Sequence, residues 1–266
     1  MRPFERTAHG TLAPMWKKVW TLLHTDPRWT VRYIVKRAPM HLGFRLARIV
    51  GRSSYIARIA GVDLIFTFDT PYHYLIARLT ARNDTETHLL NGWKEASLRA
   101  RTIYDIGGFN GMYGLLAAKA NPHADIVVFE PDAVNASHIE RNIKANGLAN
   151  CRLIRAAVGD TNGVIRFSQG GTTGEHISSA GVEVPVNTLD SLPPADLIKM
   201  DIEGAELRAL KGLSYRPDIL LVEVHPKGLR EMGDSEEEFW REVHRRKYRS
   251  WLLDSDVGGK THHLLF

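Results

Sequence analysis

The sequence has little cysteine and no long apolar run. Cys151 is the only cysteine among its 266 residues, which excludes a disulfide bond within the chain and a cysteine-rich zinc site. No stretch approaches the roughly 18 apolar residues of a membrane-spanning helix, and the first residues do not have the apolar core of a secretory signal. We therefore expect a cytoplasmic protein that is soluble or peripheral to a membrane.

Acidic residues are scarce in the first part of the chain. Residues 1–60 contain 12 Lys and Arg against 2 Asp and Glu, whereas the remainder contains 23 against 28. The net charge of +5 thus combines a basic segment with a mildly acidic body. A nucleic-acid-binding enzyme more often has basic patches on its catalytic body, so we expect no nucleic-acid partner.

The basic segment has the pattern of amphipathic helices. Apolar residues recur at helical spacing over three stretches, residues 11–24, 28–38 and 42–59. In the first stretch, Trp16 and Trp20 stand beside two lysines, and two interpretations are open. The segment is either a helical cap packed on the catalytic domain or an interfacial helix that holds the protein at anionic lipid or a lipid-linked glycan. We assign residues 1–79 to a basic, mainly helical extension.

Strands alternate with helices over the rest of the chain, which is typical of a mostly parallel sheet. The predicted strands cover residues 62–69, 102–107, 126–130, 151–159, 195–201 and 218–225, followed by a terminal antiparallel pair in YRSWLLD and THHLLF. VIRFS and VEVPV predict an inserted hairpin. The predicted helices cover 85–100 and 111–120, end at Gly147 and at Gly212, and run from a Ser235–Glu238 capping box to Arg246. We assign residues 80–266 to one Rossmann-like α/β domain.

A glycine-rich loop follows the first strand of this domain. In DIGGFNGMYGLLAA, residues 105–118, a strand with an acid at its end enters a helix through glycines, whose missing Cβ lets backbone approach a ligand closely. The dinucleotide fingerprint would need glycine in place of Phe109 and Met112, which disfavours a dinucleotide-dependent oxidoreductase. The alternative is a glycine turn that only allows tight helix packing. The candidate cofactor-binding residues here are Asp105, Gly107, Gly108, Asn110 and Gly111.

Two further acids are candidates for the same ligand. Glu130 ends the second strand, where a carboxylate can accept hydrogen bonds from both hydroxyls of a ribose. Asp160, in AVGD, could accept a hydrogen bond from an adenine amino group, or could serve only as a turn residue.

The segment IKMDIEGAE, residues 198–206, carries the candidate catalytic groups. Its strand is expected beside the first strand at the point where strand order reverses, so Asp201 and Asp105 should face one crevice. Asp201 is the first candidate for a catalytic carboxylate, with Glu203 and His225 in support. Alternation along the strand that ends at His225 places Glu223 on the same face. The alternative for the acids is capping of the following helix.

Residues 84–225 resemble the FkbM family of class I methyltransferases. The resemblance is carried in order by DIGGFNGMYGLLAA, FEPDAVNASHIERNIKANGL, VNTLDSL, IKMDIEGAELRALKG and LLVEVHP. It implies a class I methyltransferase fold, S-adenosylmethionine as the cofactor, and O-methylation of a hydroxyl on a sugar, glycan or natural-product scaffold. This sequence has Gly108-Phe109-Asn110 where the family usually has Ala-Asn-Ile, so no contact is assigned to Phe109.

Three alternatives to this interpretation remain open. An RNA methyltransferase is favoured by the basic extension, but the Asn-Pro-Pro-aromatic motif that serves base amino groups does not occur. A non-catalytic membrane or partner adaptor could keep the same fold, and the oxidoreductase is disfavoured as above. The chemistry requires no metal and we assign no metal ligands, although Asp201, Glu203 and Glu206 leave room for a divalent ion.

Overall fold

A computed structural model describes residues 40–80, 87–169, 181–255 and 260–266. The helical patterns at residues 11–24 and 28–38, including Trp16 and Trp20, lie outside the described residues. No helix in the described part of the chain combines the length and apolarity needed to cross a membrane.

Eight α-helices and twelve strands make up the described ranges. The helices are α1 Met40–Ile49, α2 Pro71–Thr80, α3 Thr87–Ser97, α4 Met112–Ala120, α5 Ala133–Asn146, α6 Glu206–Lys211, α7 Pro226–Glu231 and α8 Glu236–Arg245. The strands are β1 Ser54–Ile59, β2 Val62–Thr67, β3 Thr102–Ile106, β4 Asp125–Phe129, β5 Cys151–Ile154, β6 Ala157–Val158, β7 Gly163–Phe167, β8 Val182–Asn187, β9 Leu197–Met200, β10 Ile219–Val224, β11 Ser250–Ser255 and β12 Thr261–Leu265.

Seven strands form one sheet in the order β11-β12-β10-β9-β3-β4-β5. β12 is antiparallel to both of its neighbours, and the other neighbouring pairs are parallel. This confirms the predicted mostly parallel sheet with a terminal antiparallel strand. Strand order reverses between β3 and β9, so a crevice opens where the carboxyl ends of these two strands separate.

The central strands are apolar on both faces, as expected for a parallel sheet covered by helices on each side. Ile103 of β3 belongs to a core with α3 and α4, whereas its neighbour Tyr104 belongs to the opposite core with α6 and α8. Both cores are buried, and their side chains hold the strand ends in fixed positions. The crevice is therefore built on a rigid frame.

The helical prediction over residues 42–59 is wrong in its second half. α1 ends at Ile49, and Gly51 follows with a positive φ of 70°. Residues 54–59 then form β1, in which exposed and buried side chains alternate. β1 pairs with β2 through a turn at Ala60 and Gly61, both with positive φ, as in the type I′ turns of tight hairpins. Pairing with β2 overrides the helical spacing of these apolar residues.

The β1–β2 hairpin is attached to the main domain by asparagines of α5. The Asn146 side chain accepts from the Ile65 N–H at 2.8 Å and donates to the Ile65 carbonyl at 2.7 Å. Asn142 accepts from the Thr67 N–H at 2.8 Å. Buried residues of α1, β1 and β2 also share one hydrophobic core with β3 and β4. The domain boundary at residue 80 stays a prediction.

The single strand predicted over residues 151–159 is two short strands. β5 pairs with β4 only as far as Ile154, opposite Phe129, where β4 ends. The chain then turns, and β6 pairs with β8 in a separate sheet of order β6-β8-β7. The strand is divided because β4 offers no further partner beyond Phe129. β7 and β8 form the predicted antiparallel hairpin.

Predicted helix boundaries are confirmed at four places, two of which are the C-terminal caps Gly212 of α6 and Arg246 of α8. Gly147 follows α5 with a φ of 64°, the left-handed conformation of a C-terminal cap. Ser235 and Glu238 form the capping box at the start of α8.

Candidate functional site

The glycine loop between β3 and α4 packs tightly against β4 and β9. The N–H groups of Gly107 and Gly108 both donate to the Phe129 carbonyl at 3.0 Å. Gly107 has a φ of 80°, and a Cβ there would collide with the Asp201 carbonyl oxygen. A Cβ at Gly108 would collide with the Val128 side chain. Glycine is required at both positions because neighbouring strands leave no space.

Asp105 lies buried beneath this loop. Its Oδ2 accepts a hydrogen bond from the Gly114 N–H at 2.8 Å, and its Oδ1 is 3.7 Å from the Lys199 Nζ. Oδ1 has no hydrogen-bond partner among the described residues. Burial raises the pKa of Asp105 above its ordinary value, although the Lys199 ammonium group opposes the shift.

Glu130 stands directly after β4 and supports the loop from the other side. Its Oε2 accepts from the Phe109 N–H at 2.8 Å and its Oε1 from the Asp132 N–H at 2.9 Å. Burial raises the pKa of Glu130 to about 7, against the effect of these two hydrogen bonds. Each carboxylate oxygen keeps a lone pair with which it can accept another hydrogen bond.

The remaining predicted cofactor residues occupy different positions. Asn110 is buried, where its side chain accepts from the Met112 N–H at 3.0 Å and donates to the Thr80 hydroxyl at 3.2 Å. Gly111 starts α4 with a φ of 83°. Asp160 is exposed beyond β6, where its backbone lies against Gly212 at the end of α6. The structure thus brings Asp105, the loop and Glu130 together and places Asp160 on the smaller sheet.

Lys199 joins the two halves of the crevice. Its Nζ donates to the Gly107 carbonyl at 2.9 Å and to the Asp201 Oδ2 at 3.4 Å. Burial alone would lower the pKa of Lys199, but the carboxylates of Asp201 and Asp105 outweigh burial and raise it. Sequence reasoning missed this residue, although a lysine inside an apolar strand two positions before Asp201 was an available signal.

Asp201, Glu203, Glu206, Glu223 and His225 form what we call the carboxylate–histidine cluster. The His225 Nε2 lies 3.6 Å from the Asp201 Oδ1, 3.4 Å from the Glu203 Oε2 and 3.5 Å from the Glu223 Oε1. These groups come from the ends of β9 and β10 and from the turn after β9. The predicted placement of Glu223 on the same face as His225 is confirmed by their 3.5 Å contact.

Glu206 fixes the orientation of the His225 ring. The Glu206 Oε1 lies 2.7 Å from the His225 Nδ1 and also accepts from the Gly204 N–H at 3.0 Å. Burial lowers the pKa of His225, but the Glu206 hydrogen bond and the surrounding carboxylates raise it above its ordinary value overall. Glu206 itself is fully buried, so the ring has one fixed nitrogen and directs the other at the three carboxylates.

Two basic side chains lie at the outer side of the cluster, Lys260 just before β12 and His262 within it. The Lys260 Nζ is 3.3 Å from the Glu203 Oε1 and 3.6 Å from the Glu223 Oε1. The His262 Nε2 is 3.2 Å from the Glu223 Oε2. Burial would raise the pKa of Glu223, but the hydrogen bond from His262 and the neighbouring His225 and Lys260 lower it to about 2. No sequence pattern indicates Lys260, because its approach to the cluster depends on the position of β12.

The site fits the cofactor that the sequence resemblance implies. Beside the glycine loop, Glu130 and the Asp105 Oδ1 are buried acceptors with unused lone pairs. Such acceptors suit the hydroxyl and ammonium donors of S-adenosylmethionine. Lys199 lies between these groups and the carboxylate–histidine cluster, since its Nζ is 3.7 Å from the Asp105 Oδ1 and 3.4 Å from the Asp201 Oδ2.

The profile of the family described as "Methyltransferase FkbM domain" matches residues 105–250 of this sequence. The match includes the glycine loop, Glu130 and the whole carboxylate–histidine cluster. No curated protein matches the sequence.

Solved structures with a similar fold are methyltransferases of low sequence identity. The precorrin-6y C5,15-methyltransferase of Geobacter metallireducens is 12% identical, with a TM-score of 0.43, over 67% of this chain and 87% of that one. The tRNA (uracil-54, C5)-methyltransferase of Pyrococcus abyssi, in complex with S-adenosyl-L-homocysteine, is 15% identical, with a TM-score of 0.46, over 81% of this chain and 45% of that one. M. jannaschii TYW2, in complex with AdoMet, is 13% identical, with a TM-score of 0.42, over 80% of this chain and 84% of that one. Structural similarity at such low sequence identity gives no information about the methyl acceptor.

Proposed function

This chain belongs to the FkbM methyltransferase family, and we propose that it transfers the methyl group of S-adenosylmethionine to a hydroxyl of a sugar, glycan or natural-product scaffold. The methyltransferase activity and the cofactor follow from the family. The hydroxyl acceptor is the proposal, and the carboxylate–histidine cluster beside the cofactor loop carries it.

The partly exposed acids of this cluster suit an acceptor with many hydroxyl groups. The side chains of Asp201 and Glu203 are 30% and 31% exposed, at the same sheet edge as the cofactor loop. Carboxylates accept strong hydrogen bonds from hydroxyls. A polyol entering the crevice would therefore find acceptors on the side opposite Asp105 and Glu130.

Asp201 is the residue to which we assign the role of accepting the proton of the acceptor hydroxyl. When bound, S-adenosylmethionine supplies a methyl group activated by a sulfonium. An alkyl hydroxyl does not ionise at neutral pH, so transfer is faster when a base accepts its proton as the oxygen–carbon bond forms. The Lys199 Nζ donates to the Asp201 Oδ2 at 3.4 Å and so fixes the position of this carboxylate. His225 has a supporting role in this proposal, since the Glu206 carboxylate holds its Nδ1 at 2.7 Å.

The acidic character of the crevice argues against RNA as the acceptor. Three of the four carboxylates of the cluster contact or lie near the ammonium groups of Lys199 and Lys260, and the fourth, of Glu206, contacts His225. Excess negative charge disfavours a phosphate backbone. We propose that the acceptor is a small molecule or glycan without a dense row of phosphates.

For the basic N-terminal segment, contact with a membrane surface remains a proposal that rests on the sequence. The test is flotation of the full-length protein and of a Lys17→Glu, Lys18→Glu variant on anionic vesicles. Reversal of these charges should reduce binding. Deletion of residues 1–60 is unsuitable, because it removes α1 and β1, whose side chains belong to the hydrophobic core.

The acceptor class can be tested by transfer of a radiolabelled methyl group from S-adenosylmethionine. Neutral glycans, free sugars, polyhydroxylated natural products and RNA would be offered separately, with the labelled product analysed for methyl ether linkage. The proposal predicts an alkali-stable methyl ether on a neutral hydroxylated acceptor. Label found only in RNA, or only as a methylamine, would contradict it.

A further inference from the structure

We propose that the carboxylate–histidine cluster binds one divalent cation of the Mg²⁺ or Mn²⁺ class through Asp201, Glu223 and His225, with Glu203 as a further oxygen ligand. Ligand atoms of the first three residues lie within 4.8 Å of one another. The binding site rests on the geometry of the described residues alone. The role of the cation, to hold and acidify the acceptor hydroxyl, rests on the proposed function.

The His225 ring nitrogen that faces the carboxylates carries this inference. The residue is only 3% exposed, and its Nε2 has no hydrogen-bond partner among the described residues. An imidazolium paired with one acid would approach that acid to hydrogen-bond distance. Nε2 instead lies 3.4 to 3.6 Å from three carboxylate oxygens. Two ligands of one cation, each at about 2.1 Å, are themselves about 3.0 to 3.5 Å apart.

The contact behind the ring is the one that metal-binding histidines use. Glu206 accepts the Nδ1 proton at 2.7 Å, which directs the lone pair of a neutral ring at Nε2 toward the acids. A carboxylate in this outer position fixes the ring and increases its basicity as a ligand. Because Glu206 is fully buried and also bound to the Gly204 N–H, the ring cannot turn away without leaving a buried acid unpaired.

The charge balance also favours a cation. Among the described residues, the four carboxylates of the cluster exceed the ammonium groups of Lys199 and Lys260 that contact them. The Lys260 ammonium, between Glu203 and Glu223, is the group that a cation would displace. Oxygen ligands outnumber the single imidazole, which suits Mg²⁺ or Mn²⁺ better than copper or zinc.

The test uses metal-depleted full-length protein titrated with Mn²⁺, with free Mn²⁺ measured by electron paramagnetic resonance. We expect one Mn²⁺ per chain, displaced by Mg²⁺. Glu223→Gln and His225→Gln should each weaken binding at least about tenfold, and Glu206→Gln by about 10- to 100-fold although it touches no cation. Glu231→Gln, an exposed acid of α7 that pairs with Lys227, is the matched control and should bind as the wild type does.

Lys260→Met keeps the proposal testable if the other variants fold poorly. Loss of the competing ammonium should strengthen Mn²⁺ binding several-fold, whereas an ion-pair cluster with no cation site predicts no binding in either protein. Absence of stoichiometric Mn²⁺ binding, or binding that none of these substitutions alters, would overturn the site. Stoichiometric Mn²⁺ binding without any methyl transfer would contradict the proposed function and leave the site standing. Methyl transfer that a chelator does not affect, in protein that does not bind Mn²⁺, would contradict the cation site and leave the proposed function standing.

Discussion

The cofactor side and the acceptor side of the crevice are held by different kinds of contact. On the cofactor side, Gly107 and Gly108 hydrogen-bond through their backbone to Phe129, and the Glu130 carboxylate accepts backbone N–H groups. On the acceptor side, contacts are mainly between side chains that meet from the turn after β9, the end of β10 and the start of β12. Substitutions in the loop should therefore disturb the fold, whereas substitutions in the cluster should chiefly change chemistry.

The largest effect is expected from Asp201→Asn on the acceptor side. With a proton acceptor removed, turnover should fall on the order of 10² to 10⁴, while the affinity for S-adenosylmethionine stays near the wild-type value. The Asp201 N–H still donates to the Ile106 carbonyl, so the strand end should be retained. Single-turnover methyl transfer, cofactor affinity and melting temperature would be measured on the same protein.

If Asp201→Asn lowers cofactor affinity in step with activity, Asp201 belongs to the cofactor side. If it lowers mainly the melting temperature, Asp201 acts as a structural cap. Near-normal transfer by the folded variant would contradict its assignment as the base.

Next in size is the effect of Gly107→Ala on stability. Its positive φ and the collision of a Cβ with the Asp201 carbonyl should cost more than about 3 kcal/mol of unfolding free energy. Gly147→Ala is a matched control, since Gly147 also has a positive φ but has nothing within 4 Å of a Cβ. Its cost should be about 1 kcal/mol. If urea unfolding shows the same loss of unfolding free energy for both variants, the packing of the glycine loop against β9 contributes nothing to stability.

The smallest effect is a pH dependence on the cofactor side. Burial raises the pKa of Glu130 to about 7, and its ionised form is the better acceptor for ribose hydroxyls. Affinity for S-adenosylhomocysteine should therefore fall as the pH drops through 7, by up to about tenfold at pH 6. Glu130→Gln should bind weakly and lose this component of the pH dependence. The same pH profile in both proteins would assign the titration to another group.

The difference between the two sides also explains which features could be predicted from the sequence. The glycine loop and Glu130 are contiguous with their own strands, so their positions follow from strand ends. Lys199 is visible in the sequence as a charged residue inside an apolar strand. Lys260 reaches the site only through packing of β12 in the sheet, and no local pattern encodes that. Likewise, β1 has helical spacing of its apolar residues, and only pairing with β2 makes it a strand. The break after Ile154 depends on where β4 ends.

The cofactor site is tested most directly by calorimetric titration of S-adenosylmethionine into the full-length protein and into Glu130→Ala, with NAD as the comparison ligand. We expect one S-adenosylmethionine per wild-type chain and no heat of binding for NAD. The binding free energy for Glu130→Ala should be weaker by about 2 to 4 kcal/mol, because two charge-assisted hydrogen bonds are lost. An unchanged affinity in a folded Glu130→Ala protein, or binding of NAD in preference to S-adenosylmethionine, would contradict the assignment of this cofactor site.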